Sequence, residues 1–262
     1  MFLNYLQLNF IRFFKGRSAI ITALFELVIV ALTMLPLIAV YLLDANVETS
    51  DDVNPTEVYY FATQVIILLP VVIGLVGTSF ICTYYTYRSY YNLEVGMRNR
   101  ILFCLSELFT LYAMCGIILV VFYFCLGIIE IITYKSGQSM FFGGPIYTAS
   151  MAISVFCLMA DQAMNAFFIA KLIRRRGLSF LLFMIVIIFT FIISALIPNK
   201  YELVRCAILP TFVTWFSHDT PMFLQEDKLY IICGVCGFVL KNVALFAMSV
   251  MAFNRKQEER HK

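Results

Sequence analysis

LFTLYAMCGIILVVFYFCLGIIEI, residues 108–131, carries no charged side chain before Glu130. A helix that crosses a bilayer takes roughly 20 mostly apolar residues, whereas apolar runs of about 10–14 belong to buried helices of soluble domains. This stretch is therefore read as a membrane span. Working outward, charge-bounded apolar windows of similar length recur at 19–43, 58–83, 148–171, 178–197 and 229–253. The composition agrees, with 62% hydrophobic residues, 13% charged and a mean hydropathy of +0.89. Soluble domains run at about 45–50% apolar and about 25% charged, so this chain needs lipid as its solvent. The expected fold is all-α: one transmembrane domain over residues 1–262 with six spans, and no room for a large soluble domain.

The net charge of +3 is small, but its distribution along the chain is informative. With six spans, both termini share one side, and that side collects fourteen of the 19 lysines and arginines, among them Arg12, Lys15, Arg88, Arg98, Arg100, Lys171 and Arg174 to Arg176. The other side has Lys135, Lys200, Arg205 and Lys228, while Asp44, Glu48, Asp51, Asp52 and Glu57 crowd its first loop. Cytoplasmic loops hold the excess of Lys and Arg, so both termini are expected in the cytoplasm. The apolar run from Ala19 to Leu43 is too long for the core of a signal peptide, and no small-residue cleavage site follows it. Ahead of it, residues 2–17 place Asn4, Gln7, Arg12 and Lys15 on roughly one stripe with Phe and Leu elsewhere. That pattern predicts a helix lying in the membrane interface.

Two connections stand out. Residues 84–107 form a cytoplasmic segment rich in Tyr and Arg, and residues 198–228 form an outer segment in which Pro198, Pro210 and Pro221 punctuate apolar stretches around Trp215, as in short re-entrant or interfacial helices. Seven of the eight cysteines fall in or beside spans, and Cys206, the one clearly outside, has no intrachain partner. Cys233 and Cys236 have redox-motif spacing but no neighbouring βαβ pattern, which favours small buried apolar residues. His218 and His261 lack the companions a zinc site needs, so no metal is expected. No phosphate-binding loop of the form G-x-x-x-x-G-K-[ST] occurs. Any ATP used must be bound by another chain.

Four ionisable residues fall in or at the edge of the spans: Glu26, Glu107, Asp161 and Lys241. Glu107 is placed at the cytoplasmic edge, where water can solvate it. Asp161 and Lys241 fall near mid-span, where a charge costs about 2.5–3.5 kcal/mol on the insertion scale, so each should face protein or a water-filled cavity. Glu26, Asp161, Asn165 and Lys241 are the candidate lining of a translocation path, with Asp161 paired to Lys241 or close to Glu26. The competing reading is a polar contact that holds helices together.

YNLEVGMRNRILFCLSELF, residues 91–109, resembles the cytoplasmic segment after the second span in permease subunits of ATP-binding-cassette exporters of the second type, which include bacteriocin and lantibiotic immunity exporters. Glu94, Gly96, Ile101, Leu102, Leu105 and Glu107 occupy the slots where that family carries a glutamate, a glycine, a leucine-rich stretch and a helix start. The chain departs from the family in lacking a proline and a serine-arginine pair ahead of the third span, and in carrying Glu107 where a lysine is common. The resemblance implies a bacterial plasma-membrane permease with no catalytic residues and no cofactor of its own, working with ATPase subunits that bind ATP and magnesium and with a second permease protomer, identical or related. Tyr90, Tyr91, Glu94, Gly96, Arg98 and Arg100 are then the expected ATPase-coupling residues. Amphipathic peptide, toxin, drug or lipid-like molecules are the expected cargo, and nucleic acid is not an expected partner. A stand-alone secondary transporter or channel is the alternative, though no inverted repeat is evident. An intramembrane enzyme would need a paired catalytic set at depth, which Glu26 and Asp161 do not supply.

Overall fold

The computed structural model describes residues 2–16, 20–25, 27, 28, 31, 68–86, 99–133, 144–198, 201–208, 223 and 228–258. Among these the chain is helical: α1 (Phe2–Lys15), α2 (Leu68–Thr86), α3 (Arg100–Thr133), α4 (Gly144–Ile173), α5 (Arg176–Leu196), α6 (Glu202–Ile208) and α7 (Lys228–Glu258). Four of them contain stretches long and apolar enough to cross a membrane: Arg100–Cys125, Ala149–Ile173, Arg176–Leu196 and Lys228–Phe253. They match the expected third to sixth spans. Leu68–Thr83 is apolar but shorter. The rest of the second window and most of the first, 19–43, lie outside the described residues.

Local chemistry explains several helix ends. The Asn99 side-chain oxygen accepts a hydrogen bond from the Leu102 N–H at 3.2 Å, the N-cap arrangement that starts α3. This corrects the expected 84–107 connection. Residues 84–86 complete α2 and residues 100–107 already belong to α3, because a capped helix continues through polar residues that a hydropathy window rejects. Pro145 sits in the first turn of α4, where a missing N–H leaves no bond unmade. The α4–α5 corner turns on Arg174, whose φ of 61 is left-handed, and α5 stops at Ile197, held extended ahead of Pro198.

α4 is the central helix. Two thirds of its apolar window (67%) is buried, against 11% for that of α7. It runs along α2 and also packs on α3, α5 and α7, while α1 lies on α3 and the short α6 on α7. Ile73, Phe80, Leu111, Cys115, Phe122, Met159 and Phe167 form the core between α2, α3 and α4. Gly74 lets α2 approach α5 so closely that a β-carbon there would fall on the Phe183 ring. Outward faces are apolar, as at Ile232, Val239, Leu240 and Val243 of α7, the surface a lipid solvent favours. Five hydroxyls within these helices are satisfied locally: Thr78, Thr83, Thr110, Thr190 and Ser249 each donate to a carbonyl three or four residues back.

Candidate functional site

Among the described residues, two ion pairs lie in the core, both using α4. In the first, Asp161 is completely buried, and its Oδ2 accepts from the Lys241 ammonium of α7 at 2.8 Å. The same oxygen accepts from the Asn165 amide at 3.2 Å and, more weakly, from that of Gln162 at 3.5 Å. Asp161 and Asn165 are four residues apart and so share one helix face. Neighbouring Asn242 donates to the Phe238 carbonyl, and its side-chain oxygen accepts from the Tyr112 hydroxyl of α3 at 3.5 Å. Three helices thus contribute to one polar cluster inside an apolar bundle. Its two charges cancel, which is what permits them in a low-dielectric interior.

Of the residues expected along a translocation path, Asp161, Asn165 and Lys241 are brought together here, and Glu26 lies outside the described residues. Of the expected coupling residues, Tyr90, Tyr91, Glu94, Gly96 and Arg98 also lie outside them, while Arg100 opens α3 and is exposed.

The second pair lies about 15 Å further along α4, ten residues at 1.5 Å each. Glu107 of α3 and Lys171 of α4 approach to 2.5 Å, and neither side chain is exposed to any extent. This corrects the placing of Glu107 at a solvated edge. The capped start of α3 carries it a turn or more inside the helix, and a cation on another helix neutralises it. Lys171, counted among the cytoplasmic loop cations, is likewise interior. Its ammonium lies over the rings of Phe253, Phe167, Phe103 and Tyr85, at 4.7, 5.4, 5.5 and 5.9 Å. Rings that close provide a favourable electrostatic environment for a cation. Arg174 covers the same place, with its guanidinium 5.1 Å from the Tyr85 ring and an Nη2 bond of 3.2 Å to the Phe253 carbonyl.

α1 is anchored beside this second pair. Asn9, fully buried, donates to the Ser106 hydroxyl at 2.9 Å, and the Arg12 guanidinium bonds the Phe80 carbonyl at 2.8 Å while lying 4.6 Å from the Phe80 ring. Burial pulls the Arg12 pKa down from its ordinary value, and the nearby Glu107 carboxylate acts in the opposite sense. The expected polar stripe of α1 therefore needs correcting. Arg12 turns toward the protein with Asn9 and Phe13, while Asn4, Gln7 and Lys15 of that stripe stay exposed, interleaved with Leu3, Leu8, Ile11 and Phe14 on one outward side. The signal missed in the sequence is the spacing of Asn9 and Phe13, i and i+4 on one face.

Arg205 of α6, expected in an outer loop, is mostly buried and bonds the Ser194 carbonyl of α5 at 3.5 Å, and Cys206 packs against Leu158 and Tyr230. Among the described residues no group of three or more His, Cys, Asp or Glu is arranged to hold a metal. Comparison with protein-family models, with characterised proteins and with solved structures finds no match for this chain.

Proposed function

We propose that this chain is the transmembrane permease subunit of an ATP-binding-cassette exporter of the second type, working in a bacterial plasma membrane. It has six spans in this reading, both termini are cytoplasmic, and α1 is an elbow helix at the inner interface. The observation that carries a transport role is the Asp161–Lys241 pair, an ionic cluster midway along two helices whose surroundings are apolar. Ionisable groups at membrane depth are expensive and mark substrate or ion paths.

The family assignment rests on residues 91–109 and on the absence of a phosphate-binding loop from the sequence. Two such protomers, identical or related, form the pore with two ATPase subunits, which bind ATP and magnesium. Tyr90, Tyr91, Glu94, Gly96, Arg98 and Arg100 make the ATPase contact, with the aromatic and arginine composition favoured at protein interfaces. The cargo is an amphipathic peptide, toxin, drug or lipid-like molecule.

Purification from native membranes tests the reading. A nucleotide-binding chain should be recovered in roughly equimolar amount, and reversing Glu94 and Arg98 together should weaken that association and the ATP turnover. Transport by a preparation without any ATPase would overturn it in favour of a stand-alone secondary transporter, which the same mid-depth pair would also serve.

A further inference from the structure

We propose that Asp161 is the docking carboxylate for a cationic group, an ammonium or guanidinium carried by the cargo, and that Lys241 is its tethered stand-in when no cargo is bound. The role of cargo rests on the transport reading above, whereas the binding chemistry does not.

The two ion pairs of the core differ in the way this requires. Glu107 and Lys171 are both sealed, and the Lys171 ammonium is enclosed by four aromatic rings. Lys241 stands at the margin of the buried stripe of α7 and is 26% exposed, while its partner Asp161 is not exposed at all. Its ammonium has three donors, and Asp161 Oδ2 is the acceptor it reaches. Lys241 is thus a partly exposed cation on a long, flexible stem and Asp161 a fully buried anion on a short one. The other carboxylate oxygen of Asp161, Oδ1, is buried without a hydrogen-bond partner. A buried carboxylate oxygen left this way has unused acceptor capacity, which costs free energy until a donor fills it.

This asymmetry sets the sign of the ligand. An incoming ammonium can take both carboxylate oxygens while Lys241 swings outward, so the buried charge stays compensated throughout. An incoming carboxylate or sulfate would draw Lys241 away and leave Asp161 buried without a counter-charge, which is strongly unfavourable. The Gln162, Asn165 and Asn242 side chains beside Asp161 offer amide oxygens for the remaining N–H groups of the cation. No covalent step is involved.

The test uses the full chain in lipid nanodiscs without an ATPase, with equilibrium dialysis of phenethylammonium and of phenylpropionate, which are matched in size and opposite in charge. Wild type is expected to bind the amine saturably and not the acid. Lys241→Met should tighten amine binding by about tenfold, the gain from removing an internal competitor that occupies the site some nine-tenths of the time. Lys241→Arg, whose planar fork can hold both carboxylate oxygens at once, should weaken it below wild type. Asp161→Asn should abolish it. Lys241→Arg keeps the pair intact and so remains informative where Lys241→Met fails to fold. Equal binding of acid and amine by wild type, retention of amine binding in Asp161→Asn, or unchanged affinity in Lys241→Arg would each overturn the proposal. Amine binding without a co-purifying ATPase would remove the exporter reading and leave this site standing. An ATPase partner without amine binding would do the reverse.

Discussion

Removing Lys171 should be among the most damaging single changes in this protein, and more damaging than removing its partner. The pair is separated by 2.5 Å and fully buried. Its gross attraction at an effective dielectric near 20 is about 7 kcal/mol, most of it offset by several kcal/mol of desolvation for each ion. The net worth against two apolar residues is therefore small, while the cost of breaking the pair is about 3–5 kcal/mol, because one charge stays buried alone. The two single variants are not equivalent. In Glu107→Gln the ammonium keeps its four rings at 4.7–5.9 Å, a set whose contributions do not add and which together is worth roughly 1–2 kcal/mol to the cation. In Lys171→Met the Glu107 carboxylate keeps no hydrogen-bond donor on either oxygen. Lys171→Met should thus lose the full 3–5 kcal/mol, Glu107→Gln about 1–2 kcal/mol less, and the double variant should recover most of the loss. Unfolding titrations in detergent micelles give the energies. Maleimide labelling of Cys104 and Cys82, both fully buried nearby, reports opening of that end of the bundle. A Lys171→Met variant within 1 kcal/mol of wild type, or a double variant no better than Lys171→Met, would refute the reasoning.

Three further changes probe the packing. Gly74→Ala places a methyl group on the buried Phe183 ring, so α2 and α5 must part at a cost of about 1–3 kcal/mol, and Phe183→Leu in the same chain should restore most of it; no loss in the single variant would contradict the close approach. At Arg174, with φ of 61, glycine is free of strain and alanine is not, so Arg174→Gly should unfold about 1 kcal/mol later than Arg174→Ala, and equal stabilities would count against the left-handed turn. Asn9→Ala removes the bond to Ser106 and should cost about 1 kcal/mol, with faster amide exchange confined to α1; uniform exchange across the chain would show that α1 is not separately anchored.

The helices that hydropathy defines were the most legible part of the chain. Windows at 148–171, 178–197 and 229–253 coincide to within a few residues with α4, α5 and α7, because an apolar run of spanning length has few other structures open to it. The start of α3 was less legible. Arg100 and Glu107 lower the local hydropathy and push the apparent boundary to residue 108, yet Asn99 is a visible cap signal that would have moved it back.

Sequence alone determined that the chain is an apolar helical protein and that Asp161 and Lys241 need explaining, because the cost of a charge at depth depends only on its position in an apolar run. It left open whether Asp161 meets Lys241, and it placed Glu107 in water. Only the tertiary structure decided that Asp161 and Lys241 meet across α4 and α7, that Lys171 neutralises Glu107 among four rings, and that Arg12 and Asn9 turn inward. Each of these depends on which helix faces lie together. Burial of a polar side chain is a property of the neighbours that cover it, and those neighbours come from other helices, far away in the sequence.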